Sequence, residues 1–175
     1  KFAETDKFLS QKFAETDKFL SQKFAETDKK INKLSGLFDD QWGKLVEALL
    51  GPGCLKLFKS LNLNITQGFP NAKSELGGET MEIDILFANT NVVIFTSVKT
   101  TVRVNTVKDL VDDLKNFKRF FPRFNDCILY GAIAGLHFQE SNRKYANNNG
   151  LFVIVPNGEG LVKFMNRDGF EPKKY

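Results

Sequence analysis

Residues 1–11, KFAETDKFLSQ, recur unchanged at 12–22, and a third copy begins at residue 23 and drifts after Lys29. This eleven-residue period is the strongest constraint in the chain, because eleven residues close three helical turns. The apolar or semi-apolar seam runs Phe2, Thr5, Leu9, Phe13, Thr16, Leu20, Phe24, Thr27, Ile31, with Phe8 and Phe19 beside it. At about 3.67 residues per turn, the pattern predicts a straight to right-handed supercoil. The expected object is a parallel coiled-coil stalk over residues 1–36. Lys, Glu and Asp fill the outer positions, and each full repeat sums to zero charge. A single helix of this kind buries little of its own surface, so the seam predicts a homo-oligomer rather than a solvated lone helix. Dimer, trimer and tetramer all satisfy the pattern, and the Thr positions predict a loose or hydrated core.

The seam continues through Leu34, Phe38, Trp42, Leu45 and Leu49 into the first helix of an α/β domain spanning 37–175. Gly51-Pro52-Gly53 reads as a stop, with a short helix resuming over 54–61. Strands are predicted at 63–67, 81–88 and 92–100, with a polar loop containing Pro70, Gly77 and Gly78 after the first, and with Asn89-Thr90-Asn91 as a hairpin turn. Apolar residues at 107, 110, 111, 114, 117 and 121 mark an amphipathic helix that Pro122 ends. Residues 127–136 read as a strand covered on both faces, and 140–148 as a helix. A strand pair at 151–156 and 161–166 flanks the turn Asn157-Gly158-Glu159-Gly160. The sum is a mixed sheet flanked by helices.

Composition narrows the chemistry. The chain has 175 residues, one histidine and two cysteines far apart in sequence, Cys54 and Cys127. A zinc triad or a Ser-His-Asp hydrolase would have to be built on His137 alone, so catalysis has to rest on carboxylates and lysines. No apolar run approaches bilayer length, and the N-terminus lacks the layout of a signal peptide. A cytoplasmic protein without a membrane partner is the expectation.

Alternation places Met81, Ile83 and Ile85 on one face of the second strand with Glu82 and Asp84 on the other, and Phe95, Ser97 and Lys99 on one face of the third. Pairing of the two strands brings Asp84 near Ser97 and Lys99. An ion pair at a sheet edge would account for that pair. The order helix, three strands, helix, strand, with Asp84 in EIDIL and Lys99 in FTSVKTT, also resembles the PD-(D/E)xK nuclease superfamily over roughly residues 37–140. The resemblance implies a restriction-endonuclease-like fold and metal-dependent hydrolysis of phosphodiesters, with DNA as partner and Mg²⁺ or Mn²⁺ as cofactor. Asp84 matches the first metal-binding acid, Lys99 the lysine that positions or activates the attacking water, and Glu47 on the first helix a glutamate beside the metal.

Where the family has Asp or Glu two residues before the lysine, this chain has Ser97, a neutral hydroxyl. Some restriction enzymes of the superfamily also read Ser-x-Lys and recruit an acid from the following helix. Of Asp109, Asp112 and Asp113, helical geometry favours Asp113, on the flank of the core face, while Asp112 points away. The resulting expectation is Asp84 with Asp113 or Glu47 as metal ligands, Ser97 in a water-mediated contact, and Lys99 orienting water. Loss of the acid makes a catalytically inactive nuclease-fold module for DNA or protein binding the alternative. Net charge is +4, and Arg103, Lys115, Lys118 and Arg119 belong to a basic cluster suited to a phosphate backbone. No base-reading element is recognisable.

Overall fold

The computed structural model describes residues 2–157 and 162–175, with side chains at 11–34, 51–157 and 162–175. The chain divides into two compact units, Lys1–Gln41 and Trp42–Tyr175. Helix α1 spans Phe2–Ser60. In the repeat, the seam residues Phe13, Leu20, Phe24 and Ile31 are exposed among the described residues. Side chains of the seam at Phe2, Thr5, Phe8 and Leu9, those of Phe38, Trp42, Leu45 and Leu49, and most of the turn at 157–160 lie outside the described residues.

The second unit is built on a six-stranded sheet in the order β1-β2-β3-β4-β5-β6. Its strands are β1 Gln67–Leu76, β2 Glu79–Ala88, β3 Val92–Val102, β4 Ile128–Phe138, β5 Phe152–Pro156 and β6 Val162–Phe164. The pairs β3–β4 and β4–β5 are parallel and the other three antiparallel. Each parallel pair needs a crossover, supplied by α2 Val104–Phe120 and α3 Glu140–Asn148. The mixed α/β sheet flanked by helices therefore matches the sequence expectation.

Two apolar clusters cover the two faces. On one, α2 buries Val107, Leu110, Leu114, Phe117 and Phe120 against Phe95, Leu129, Ile133 and Val153. On the other, the end of α1 buries Cys54 and Phe58 against Phe87, Ile94, Ala132 and Phe152. Residues 129–134 of β4 contribute to both, which explains the near-continuous apolar run there. Burial pushes the Cys54 thiol up to about 12, so this cysteine is packing material and not a nucleophile.

Two local expectations need correction. Gly51-Pro52-Gly53 does not stop α1, which continues to Ser60 with Pro52 inside it. Proline removes one backbone donor, but the buried Cys54 and Phe58 beyond it hold the last turns against the sheet. The first strand is not at 63–67. Ile65 there is a buried plug, and the segment read as a polar loop is β1, an edge strand with one partner. Edge exposure explains its polar composition and its tolerance of Pro70. Gly77 and Gly78, at φ of 60° and 83°, make the two-residue hairpin turn into β2.

The C-terminal tail is anchored. Lys173 N–H donates to Gly150 O at 3.0 Å, and the Tyr175 hydroxyl donates to Asn149 O at 2.7 Å. Gly150 sits at φ 68°, and a Cβ there would come within 2.6 Å of Lys173 N. Gly150→Ala is expected to lower stability by about 1–3 kcal/mol through left-handed strain and displacement of the tail. Chemical denaturation of wild type and variant at equal protein concentration measures the difference.

Candidate functional site

The candidate site forms where the regular sheet gives way. From Ala88↔Val93 the β2–β3 ladder runs to Ile85↔Thr96 and then ends. Along β2, Met81 and Ile83 belong to the α2-side cluster, but so do Leu86 and Ala88, while Ile85 and Phe87 face the opposite core. Face alternation therefore slips by one residue at Asp84, and Ile85 does not share a face with Met81 and Ile83. Opposite this point the β1–β2 ladder passes from Pro70↔Ile85 to Ala72↔Ile83 without a pair between, and Asn71 takes φ 51°. Asparagine tolerates that conformation better than most side chains.

The irregularity frees the Asp84 carboxylate for a tertiary role. Its Oδ2 accepts the Val98 N–H at 2.6 Å, the place a β2 carbonyl would hold had the ladder continued. The Ser97 hydroxyl donates to the same oxygen at 3.3 Å, and Lys99 Nζ lies 3.5 Å from it. Asp84 is half-buried and Lys99 exposed. A charge-assisted backbone hydrogen bond, rather than the long Lys99 contact, sets the carboxylate's position.

These residues open into a cleft of about 260 Å³ lined by Glu82, Asp84, Phe95, Ser97, Lys99, Thr106, Asp109, Leu110 and Asp113. Strands β2 and β3 form one wall and the first half of α2 the other. Asp84, Ser97, Lys99 and Asp113 thus share one cavity, whereas Glu47 lies outside the residues whose side chains are described. Thr106 and Glu82 also line the cleft without having been singled out as site residues. Asp112 is turned from it and pairs with Lys115 at 2.6 Å.

The Asp113 carboxyl titrates above its ordinary range, first because the cleft wall desolvates it and second because Asp109 and Asp112 are close. An acid raised in the folded state destabilises the fold where it is ionised, and the penalty disappears below its unfolded pKa. Without added metal, Asp113→Asn is therefore expected to raise the melting temperature at neutral pH. The gain should fade as pH falls through the folded carboxyl's range. Thermal unfolding at neutral and acidic pH with chelator present tests this.

Of the four cations expected to hold phosphate, none lines the cleft. Lys115 is occupied by Asp112, and Arg119 pairs with Glu79 at 2.6 Å. Arg103 is the exposed residue at the N-cap position of α2, where its side chain makes no capping hydrogen bond, and Lys118 sits in the helix's last turn. Lys99 is the cation of the cleft itself. His137 is exposed on β4, paired in register with Thr101.

No three His, Cys, Asp or Glu side chains among the described residues stand close enough to form a metal cage. The donor chemistry still suits a hard cation. Mg²⁺ retains several waters and is commonly held by one or two carboxylates together with substrate phosphate, so a complete protein cage is not required. Asp84 and Asp113 supply oxygens of that kind.

No family model matches the chain, and no curated protein matches it either. One solved structure, the protein of unknown function AF1548, is 16% identical with a TM-score of 0.39, over 68% of this chain and 60% of its own length. The chain thus spans less than two thirds of that protein, and the likeness is too slight to carry a property across. No helix among the described residues is long and apolar enough to cross a membrane.

Proposed function

We propose that the cleft between β2, β3 and α2 hydrolyses phosphodiesters with the aid of Mg²⁺ or Mn²⁺, in a restriction-endonuclease-like domain related to the PD-(D/E)xK nucleases, with DNA as substrate. One observation carries the reading: Asp84, Ser97, Lys99 and Asp113, singled out on three separate elements, line the same cavity. The eleven-residue repeat is read as a coiled-coil stalk attached to this domain.

A divalent cation, when bound, supplies charge to polarise the phosphodiester and to promote ionisation of water. Asp84 would hold it through the oxygen left over from the Val98 and Ser97 hydrogen bonds, and Asp113 from across the cleft. Lys99, with three donors on a flexible stem, orients the attacking water and offsets the negative charge that grows on the phosphoryl oxygens. Ser97 contributes a hydroxyl but no charge. The ion would be held with one negative charge fewer than an acidic residue at this position would give, which predicts weak affinity and a high metal requirement.

Supercoiled plasmid incubated with Mg²⁺ or Mn²⁺ tests this reading. Nicking should appear, stop with chelator, and be abolished by Asp84→Ala and by Lys99→Ala. Nicking that survives in Asp84→Ala would sink it.

A second reading, a nuclease-fold module that binds DNA or protein without cutting, is favoured by one specific feature. Asp84 Oδ2 already accepts from Val98 and Ser97 and lies beside Lys99, so that oxygen is placed without a metal. DNA retention without cleavage in any metal, unchanged by Asp84→Ala, is its expected signature.

A further inference from the structure

The repeat helix displays an apolar face that nothing in the described chain covers. Phe13 is 68% exposed, Phe24 67% and Ile31 57%, and Leu20 is exposed in line with them. Thr16 and Thr27 lie on the same line. Each hydroxyl donates to the carbonyl one turn back, Thr16 to Lys12 O and Thr27 to Lys23 O, both at 2.8 Å. Their donors are thereby satisfied within the helix, leaving the methyl groups to pack.

Charge placement then selects the orientation. Take an eleven-residue repeat of three turns with the seam at its centre. Lys12 and Lys23 lie about 65° to one side, and Asp17 and Asp28 about 65° to the other. One flank is therefore basic and the other acidic at each level of the described repeat. Two parallel helices meeting seam to seam place the basic flank of each against the acidic flank of its partner. Antiparallel helices would set Lys against Lys and Asp against Asp. The Lys12–Glu15 and Lys23–Glu26 contacts at 2.9 and 3.1 Å are exposed pairs within the helix and are readily exchanged for interchain ones.

From these observations we infer that the face bearing Phe13, Thr16, Leu20, Phe24, Thr27 and Ile31 docks on the same face of a second copy of this chain, with the two helices parallel. The inference rests on the repeat alone and is independent of the cleft's chemistry.

Sedimentation equilibrium of the full chain reads the mass, and spin labels read the orientation. Labels are placed at Gln11→Cys, Gln22→Cys and Lys33→Cys, one variant at a time, in a Cys127→Ser background. The three positions are one repeat apart and point away from the seam. Parallel helices give the same interchain distance at all three. Antiparallel helices cannot, because moving the label by one repeat changes that distance by about 33 Å on at least one side of the midpoint. A mass of two or more copies with three equal distances supports the proposal. A monomer at every concentration, or unequal distances, overturns it. Phe13→Ser with Phe24→Ser should weaken association by about a hundredfold or more. The melting of the α/β unit serves as the control that this variant still folds.

Discussion

Phe58→Ala is expected to lower the unfolding free energy by about 3–5 kcal/mol, among the largest single losses this fold can show. The side chain is fully buried. Its ring lies 5.4 Å from that of Phe87, 5.5 Å from Phe152 and 5.9 Å from Phe164, so it touches β2, β5 and β6 at once from the end of α1. Truncation removes the transfer energy of the ring and leaves a hole between rigid neighbours that cannot close over it. Aromatic pairing adds to the loss. Urea denaturation at fixed protein concentration gives the value. A loss below about 1 kcal/mol would mean that the end of α1 is not part of this core. The same experiment addresses Gly51-Pro52-Gly53: a helix that truly stopped there would leave residues beyond it as a detachable cover.

Ser97→Glu is expected to tighten Mg²⁺ or Mn²⁺ binding by about tenfold or more. Two unit charges about 4 Å apart attract by about 4 kcal/mol at an effective dielectric constant near 20, and each 1.4 kcal/mol is a factor of ten. Repulsion from Asp84 and from the acids of α2 reduces the gain but does not cancel it once a divalent ion is present. Without metal the sign reverses. The new carboxylate faces Asp84, Asp109 and Asp113 in the same cleft, so the variant should melt below the wild type in chelator and recover or exceed it as metal is added. Calorimetric titration and metal-dependent melting read the two effects. A variant whose melting does not respond to metal contradicts the placement of an ion beside position 97.

Much of this architecture was legible in the residues, and for identifiable reasons. The amphipathic spacing of Val107, Leu110, Leu114 and Phe117 gives α2 directly, and Glu140–Asn148 is helical as read. The apolar run of β4 reports a strand with a core on each side. Strand β1 was missed because an edge strand with one solvated flank carries no alternating apolar signal, and Pro70 reads as a breaker when only its missing donor is considered. The slip in alternation at Asp84 was illegible for a different reason. It lies opposite Asn71, which takes a positive φ in the neighbouring strand, and neither feature leaves a periodicity in its segment. Asp84, Ser97 and Lys99 could nevertheless be put together, because their pairing depends on strand order more than on the pleat. Asp113 was reached by applying helical geometry to the acids that the nuclease resemblance pointed to on the following helix. The basic cluster did not converge in the same way, since nothing in sequence separates a cation that faces a cleft from one paired with a neighbour such as Asp112 or Glu79.

The proposed hydrolysis requires the cleft formed by Asp84, Ser97, Lys99 and Asp113 to be a divalent-cation site. Isothermal titration of Mn²⁺ into the full chain, with Asp84→Ala titrated in parallel, tests it most directly. One saturable, weak binding event per chain is expected in the wild type, and its loss in Asp84→Ala. Absence of binding in the wild type, or equal binding in the two proteins, would contradict it.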